Sequence, residues 1–426
     1  MLKNEEMKFV LQWSIHLAVH SSLLFSACVN AQKPERTAVV RQTRVSAASN
    51  PIASIPAEML LSGGILLRTR VNNSESLWFV LDSGGGSGFI IDGRRARTLR
   101  LELRGRATST GAGENYYDVT FANKIRIALT GIEFPPQTVR VISLSSLEPF
   151  AGRTLDGAIG FGLFSRYVVE IDYAARKVNL YDSQSYHYSG SGTRLPLTME
   201  DNHFFVPAKV AIAGRGTIDG KFMVDTGAVP MTLILNRPFV EKHGLLASLR
   251  KRILDRSLPG LGGETKQILS RASMIRLGGL TIHQPTISLS QDAQGALASP
   301  DFDGVIGGEL LRRFKVIFDP ARRQLILEPN AHFTEPYEHS MSGIGLRAEG
   351  ENFRVIKVHG VIEDSPASEA GLREGDVIVA IGDQPVSSFT LDQLYQMFKQ
   401  EGREYDIVVM RGGERLQAKL RLRRLV

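Results

Sequence analysis

Residues 79–90 read FVLDSGGGSGFI, so an acid, a hydroxyl and a run of glycines lie between two apolar arms. Two interpretations fail on spacing. A dinucleotide-binding loop needs Gly-x-Gly-x-x-Gly at the start of a helix, and the third glycine is missing whether the count starts at Gly84 or Gly86. A nucleophile elbow needs Gly-x-Ser-x-Gly, but Phe89 stands two positions after Ser87.

Two interpretations remain for this stretch. Asp-Ser-Gly-Gly also occurs in trypsin-like serine proteases, which would make Ser83 a nucleophile that needs an upstream histidine. The only upstream histidines, His16 and His20, lie in a segment with the character of a targeting signal. In the other interpretation, the strand LWFVL delivers Asp82 to a tight turn before the strand FII, and the carboxylate is the functional group.

An internal repeat decides between them. Residues 156–180 read DGAIGFGLFSRYVVEIDYAARKVNL and residues 303–327 read DGVIGGELLRRFKVIFDPARRQLIL, which align without a gap at an offset of 147 residues. The same offset predicts a partner for the opening stretch near residue 229, and residues 222–234, FMVDTGAVPMTLI, supply it with Asp225. The chain therefore carries two copies of one unit, predicted at 53–187 and 188–330.

The segments between these landmarks predict an all-β fold. Alternating and β-branched stretches such as YYDVTFANKIRIAL and TISLS are typical of strands. Residues 109–117 and 258–268 look like hairpin tips, because glycine supplies the positive φ that tight turns need. We predict that these tips close over a bound peptide. The candidate residues are Gly111, Gly113, Tyr116, Gly260, Gly262 and Gly263.

The duplication gives the two acids a joint chemistry. If the units pack about a pseudo-twofold axis, Asp82 and Asp225 meet, and two adjacent carboxyls share one proton. One is then a base and the other an acid, so a water between them can be activated. We expect the hydroxyls of Ser83 and Thr226 to lock the paired turns. The turns themselves need Gly84 and Gly227, whereas Asp156 and Asp303 are expected to fix other turns by accepting from backbone N–H groups.

Residues from about 53 to 330 resemble the pepsin/retropepsin-type aspartic protease family. The resemblance rests on the paired Asp-Ser/Thr-Gly turns and on the paired Asp-Gly-Φ-Ile-Gly segments, where Φ is apolar. It implies a bilobal all-β fold and an aspartic-type endopeptidase with catalytic Asp82 and Asp225, and it implies no metal and no cofactor. The departures are Ser83 in place of threonine and Gly85-Gly86 after the first turn. The alternative is a non-catalytic protein that binds peptides in the same cleft.

Composition shifts after a linker near residue 331, and residues 336–426 resemble a bacterial PDZ domain. The motifs that carry this resemblance are Gly343-Ile344-Gly345-Leu346, Ser365-Pro366-Ala367 and Gly375-Asp376-Val377-Ile378. In that family the first loop offers backbone N–H groups to the C-terminal carboxylate of a peptide, which adds as a strand to the sheet edge. The resemblance implies that this domain recruits protein substrates or partners.

The N-terminus and the overall charge indicate the cellular location and the partners that we expect. Residues 1–31 resemble an export signal, with Met7 as an alternative start and residues 32–52 as a linker. We predict an exported, periplasmic or envelope-associated protein, with a lipid anchor if Cys28 is acylated. Cys28 is the single cysteine, which excludes an intramolecular disulfide. The net charge is +7, but the sequence has no basic-aromatic motif, so we expect no nucleic-acid binding. Because one chain supplies both acids, we expect a monomer.

Overall fold

A computed structural model of the protein describes residues 49–426, without the side chains of residues 255–257. Strands dominate this part of the chain, and the prediction of an all-β fold is confirmed. The predicted export signal, the alternative start at Met7, Cys28 and most of the 32–52 linker lie outside the described residues. Within 49–426, no helix has both the length and the apolar character that a membrane-spanning helix requires.

The first repeat unit consists of ten strands and three short helices among the described residues. Its elements are β1 (Ala53–Met59), β2 (Ile65–Val71), β3 (Leu77–Leu81), β4 (Phe89–Asp92), α1 (Gly93–Thr98), β5 (Leu103–Thr110), β6 (Tyr116–Leu129), β7 (Ile132–Ile142), α2 (Glu148–Ala151), β8 (Gly157–Ile159), α3 (Phe161–Phe164), β9 (Val168–Asp172) and β10 (Lys177–Tyr181).

The second repeat unit follows the same order of elements, with one more strand before its aspartate-bearing strand and two more after its first helix. Its elements are β11 (Thr193–Pro196), β12 (Thr198–Glu200), β13 (His203–Ile212), β14 (Gly216–Val224), β15 (Leu233–Leu235), α4 (Arg237–Lys242), β16 (Ile253–Gly260), β17 (Gly263–Arg271), β18 (Met274–Leu277), β19 (Leu280–His283), β20 (Thr286–Ser290), β21 (Gly304–Ile306), α5 (Gly308–Leu311), β22 (Phe314–Asp319) and β23 (Gln324–Pro329). Short 3-10 turns lie at Leu245–Ser248, Ala296–Ala298 and Pro320–Arg322.

The two units pair their strands in the same way. In the first, β3 runs parallel to β8, and β8 runs antiparallel to β4, with Leu81 opposite Ile159. In the second, β14 runs parallel to β21, and β21 runs antiparallel to β15, with Val224 opposite Ile306. The strand that ends at each Asp-Ser/Thr-Gly turn is therefore held beside the apolar segment that follows the matching Asp-Gly.

A pseudo-twofold relation joins the units through one sheet. Strands β9 and β22 pair antiparallel, with Val169 opposite Phe318 and Ile171 opposite Val316. At the repeat offset of 147 residues, each of these two pairs is the image of the other. Both pairs belong to a continuous sheet that the structure extends over 13 of the described strands. The two repeat units therefore meet in this sheet through equivalent strands.

The alternation of side chains along β3 explains how the strand positions its aspartate. Leu77, Phe79 and Leu81 are buried in the large core that both units share. Trp78 and Val80 point to the opposite face and pack on a smaller apolar cluster next to the cleft. Because successive side chains of a strand alternate between faces, the strand is fixed on both faces up to the residue before Asp82.

The C-terminal unit is a separate small sheet with two helices. Its elements are β24 (Ile344–Glu349), β25 (Val355–Val361), α6 (Pro366–Glu369), β26 (Val377–Ile381), β27 (Gln384–Pro385), α7 (Leu391–Met397), β28 (Glu404–Arg411) and β29 (Glu414–Arg421). The sheet order is β24-β25-β26-β28-β29, which leaves β24 at an edge. Helix α7 starts with a capping box between Thr390 and Gln393, and its apolar residues close the core of this unit.

Candidate active site

The structure brings Asp82 and Asp225 together. Each follows the last residue of the matching strand, β3 or β14, and their side chains share a hydrogen bond. Each carboxyl also lies against the glycine of the opposite turn. A Cβ atom built on Gly84 would lie 2.2 Å from the Asp225 Cγ, and one built on Gly227 would lie 2.7 Å from the Asp82 Cγ. The two turns therefore approach closely only because both positions are glycine.

Backbone amides orient both carboxyls. The Oδ1 atom of Asp82 accepts from the N–H groups of Gly84 at 3.0 Å and Gly85 at 2.8 Å. The Oδ1 atom of Asp225 accepts from Gly227 at 2.7 Å and from Ala228 at 3.2 Å. Each Oδ1 is thus held by the backbone of its own turn.

Ser83 and Thr226 link the two turns by four reciprocal hydrogen bonds. The Ser83 hydroxyl donates to the Val224 carbonyl at 2.7 Å and accepts from the Thr226 N–H at 3.0 Å. The Thr226 hydroxyl donates to the Leu81 carbonyl at 2.8 Å and accepts from the Ser83 N–H at 3.0 Å. Both residues are fully buried. The Ser83 hydroxyl is therefore part of the turn lattice and does not reach the cleft as a nucleophile.

The second landmark of each repeat supports the turns from below. Asp156 accepts from the Trp78 N–H at 2.8 Å, and Asp303 accepts from the Lys221 N–H at 2.7 Å. These bonds pin the strands β3 and β14. Gly160 lies under the first turn, because a Cβ atom built on it would be 2.3 Å from the Gly85 carbonyl oxygen. The apolar segment that precedes Gly160 therefore ends in contact with the first turn.

The electrostatics of the pair favour one shared proton. Burial raises the pKa of both carboxyls, because it penalises the charged form. For Asp82, burial comes first and the adjacent charge of Asp225 second, and together they raise the pKa to about 8. Because the two groups are coupled, the proton belongs to the pair. The arrangement can donate one hydrogen bond to a carbonyl oxygen and accept one from a water or an amide.

The hairpins that were predicted to close over the site meet each other at their tips. The N–H of Gly113 donates to the Leu261 carbonyl and that of Asn115 to the Gly262 carbonyl, both at 2.9 Å. Gly111 accepts from the Ala296 N–H at 2.8 Å. Gly260 and Gly263 close the second tip as a register pair. Tyr116 begins β6 with 69% of its surface exposed, so its ring does not cover the carboxyls.

A single cavity of about 1280 Å³ contains the site. Asp82 and Gly227 line it at one place, and the apolar residues Leu147, Phe150 and Leu261 line it elsewhere. The loop Gly343–Gly345 of the C-terminal unit lines the same cavity. Its first residue, Gly343, has a φ of 75°, and a Cβ atom there would lie 2.2 Å from Ser365. The cleft of the repeats and the predicted peptide loop thus open into one space.

Two contributors to the site were not predicted from the sequence. His203 packs against the first turn, since a Cβ atom on Gly86 would lie 2.6 Å from its ring. Helix α2 of the first unit forms part of the cavity wall next to the C-terminal unit. The glycine run after Asp82 was the only signal that a bulky neighbour approaches there. Within 49–426, no cluster of three or more metal-ligating acidic, histidine or cysteine side chains is present.

Comparison with known proteins identifies the C-terminal unit. Residues 342–422 match the model of the PDZ domain family, so a PDZ domain is present and the prediction of this domain is confirmed. A PDZ domain indicates peptide binding, which is consistent with the predicted peptide partners. The roles of Gly343, Ile344, Gly345 and Leu346 in that binding stay predictions.

Two relatives have names that state an activity. The chain is 44% identical to "Serine protease HTRA1" of Xenopus tropicalis over 54 residues. These residues are 13% of this chain and 11% of that protein. It is 28% identical over 108 residues to "Probable CtpA-like serine protease" of Staphylococcus aureus, which covers 25% of this chain and 22% of that protein. The chain thus spans about a tenth to about a fifth of the length of these relatives.

These relatives correct the predicted activity. Both are named serine proteases, which contradicts the prediction of an aspartic-type endopeptidase and the terms aspartyl protease and retropepsin-like. The physical difference is the attacking group, which is a side-chain hydroxyl in a serine protease and was predicted here to be a water held by two carboxyls. What the comparisons show for this chain itself is the PDZ domain.

Proposed function

We propose that this chain is a protease that binds polypeptides in the cavity between the paired turns and the PDZ domain. The observation that carries the proposal is the shared cavity, which both Asp82 and the loop Gly343–Gly345 line. Its volume of about 1280 Å³ exceeds the roughly 300–1,000 Å³ of small-molecule pockets. A polypeptide segment is the ligand that suits a space of this size with a PDZ loop in its wall.

In this proposal the two repeat units are the two lobes of a bilobal fold, with Asp82 and Asp225 at the floor of the cleft. The protonated carboxyl donates a hydrogen bond to a peptide carbonyl oxygen, and its ionised partner accepts a hydrogen bond from a peptide N–H group. Gly111, Gly113 and Gly260–Gly263 form the roof through the joined hairpins. The buried Ser83 and Thr226 hydroxyls hold the floor rigid, which preorganises the pair.

The proposal is tested by cleavage of an unfolded reporter protein, measured by mass spectrometry between pH 4 and pH 8. We expect the wild-type chain to cut the reporter. The variants Asp82→Asn and Asp225→Asn should each lose about tenfold in rate, which is the scale for loss of a hydrogen bond between a charged group and the peptide. Asp219→Asn is the matched control, because this aspartate lies on β14 with 77% of its side chain exposed. The control should keep the wild-type rate.

The same assay separates the site from the type of protease. Full activity in both Asn variants, together with labelling of a serine by a fluorophosphonate, would contradict the assignment of Asp82 and Asp225 as functional residues. A wild-type chain that binds the reporter and never cuts it would replace the protease by the predicted alternative, a peptide-binding protein. Loss of cleavage in both variants with a normal control supports the proposed site.

We also propose that the chain is exported, from the signal-like character of residues 1–31. N-terminal sequencing of the protein recovered from a periplasmic fraction should give Gln32 as the first residue. An acylated Cys28 at the N-terminus would show a lipid anchor instead, and an intact N-terminus in the cytoplasmic fraction would contradict export.

A further inference from the structure

Helix α2 of the first repeat unit lies on the PDZ domain. It packs against helix α7 and against strand β24, the edge strand to which a peptide can add in a PDZ domain. The backbone just after the helix touches the first residue of α7, since a Cβ atom built on Gly152 would lie 3.1 Å from the Leu391 Cβ. The ring of Phe150 in α2 packs edge to face on His359 of β25, with 5.0 Å between ring centres.

The position of α2 conflicts with peptide binding at the same place. Strand β24 is an edge strand, and a peptide that extends the sheet must pair with this edge. Next to this edge, Ile344, Leu346 and Leu391 are buried in the apolar core of the PDZ domain. Because α2 already stands between β24 and the start of α7, an added strand and the helix cannot occupy the same space.

The repeat shows that α2 is adapted to this contact. At the offset of 147 residues, the equivalent of Glu148–Ala151 is 295–298, which is a 3-10 turn in the second unit. That turn packs on the tip of the first hairpin, where Ala296 donates to Gly111 at 2.8 Å. The same position in the two copies thus serves two different neighbours, and only the first copy faces the PDZ domain.

We propose that α2 is an internal occupant of the PDZ groove, and that the C-terminal segment of a polypeptide with a free carboxylate displaces it. The inference rests on the proposed peptide-binding function. The displaced segment belongs to the cavity wall, because Leu147, Phe150 and Ala151 line the cavity that contains Asp82. Its movement therefore widens the path from the PDZ loop to the paired carboxyls, and a peptide C-terminus favours the open cavity by binding it preferentially.

Polar contacts between the PDZ domain and the repeats show what must stay in place during the exchange. Asp392 of α7 accepts from the N–H groups of Leu61 at 2.7 Å and Ser62 at 3.0 Å. Lys399 lies 3.5 Å from the buried carboxylate of Glu309. Neither contact involves α2. The helix can therefore leave the groove while these anchors keep the domain docked on the repeats.

The first test weakens α2 without altering the groove. The probe is a fluorescein-labelled decapeptide pool that ends in valine with a free carboxylate, and the readout is fluorescence anisotropy with the full chain. Phe150→Ala removes the ring that rests on His359. We expect the peptide to bind about fivefold more tightly to this variant, because displacing α2 then costs less of the binding free energy. The control Leu103→Ala changes a side chain on β5 that is 40% exposed and should leave binding unchanged. The C-terminally amidated pool should not bind.

The second test locks α2 in place. The variant Gly152→Cys with Leu391→Cys, made with Cys28→Ser so that only two thiols remain, can form a disulfide across the 3.1 Å approach. We expect the oxidised protein to lose at least tenfold in peptide affinity and reduction of the same sample to restore it. A mass spectrum shows whether the bond has formed, and unchanged peptide affinity in the fully oxidised protein would contradict the role of α2.

The outcomes separate this inference from the proposed function. If neither Phe150→Ala nor the disulfide changes the peptide affinity, the role of α2 is overturned and the peptide-binding function is retained. Absence of binding in the wild type, in Phe150→Ala and in the reduced double variant would overturn the peptide function of the PDZ domain and the inference with it. Tighter binding in Phe150→Ala and reversible loss on oxidation support the displacement.

Discussion

The two copies of the repeat agree in their floor and differ where they meet their neighbours. Leu81 and Val224 end equivalent strands, and each faces the equivalent isoleucine. The segments 148–151 and 295–298, by contrast, occupy the same place in the repeat but contact the PDZ domain in one copy and a hairpin tip in the other. The strand pairing that both copies share therefore positions the two carboxyls. The connecting segments make the contacts that differ between the copies.

The turns themselves also differ after their common motif. Gly85-Gly86 follows the first, whereas Ala228-Val229-Pro230 follows the second. The reason at Gly86 is steric, because the ring of His203 leaves no room for a Cβ atom. Symmetry between the turns is therefore limited to the residues that touch across the axis.

The largest expected effect comes from adding a methyl group between the turns. In Gly84→Ala the new Cβ atom would stand 2.2 Å from the Asp225 Cγ, so the two turns must separate. We expect a loss of about 2–3 kcal/mol in the free energy of unfolding, measured in urea, and loss of cleavage. Gly88→Ala is the control, because its Cβ atom meets its nearest neighbour at 3.9 Å. Equal stability of the two variants would contradict the close approach of the two turns.

The next effect tests whether the two hydroxyls are equivalent. Ser83→Ala and Thr226→Ala each remove two hydrogen bonds and leave a buried N–H and a carbonyl without their partners. Each variant should lose about 2 kcal/mol in the free energy of unfolding. Thr226→Ser keeps the hydroxyl and should stay close to the wild type. A large loss in one variant alone would show that a single turn holds the pair.

A smaller effect concerns pH. Folded Asp82 has a pKa of about 8 against 3.8 for the ordinary group, so the folded state holds this proton more tightly than the unfolded chain. Stability from this group is present below pH 3.8 and is lost as the pH rises toward 8. Asp82→Asn removes that loss, so its stability relative to the wild type should rise between pH 4 and pH 8 and should stay level below pH 3.8. A gain at low pH would contradict the raised pKa.

The smallest expected effect tests the contact of the first copy with the PDZ domain. Asp392→Ala removes the acceptor of two backbone N–H groups, those of Leu61 and Ser62. We expect a loss of about 1 kcal/mol and faster hydrogen exchange at these two amides. Asp406→Ala, at an exposed position on β28, is the control and should leave their exchange unchanged.

The sequence predicted the parts of the molecule that the repeat encodes. The all-β fold and the PDZ domain are confirmed, and the repeat offset led directly to the turn at Asp225. The docking of α2 and the packing of His203 were missed, because these contacts join segments far apart in the chain and leave no periodic pattern. Tyr116 was chosen by its place near a hairpin tip, and nothing in the local sequence showed that its ring points to solvent.

The type of protease is the prediction that failed against the named relatives. The sequence argument ran from two matching turns to a pair of carboxyls, and from that pair to a reaction. The first step concerns geometry, which a repeat can encode through glycines and hydroxyls. The second concerns the atom that attacks the substrate, and matching turns alone do not determine it.

The most direct test of the central claim is a ¹³C-NMR titration of the Asp82 carboxyl in the full chain, assigned by its absence in Asp82→Asn. We predict that this carboxyl titrates near pH 8, and that Asp225→Asn lowers its pKa because the neighbouring charge is removed. A carboxyl that titrates near 3.8 in both proteins would contradict the shared proton and separate the two acids.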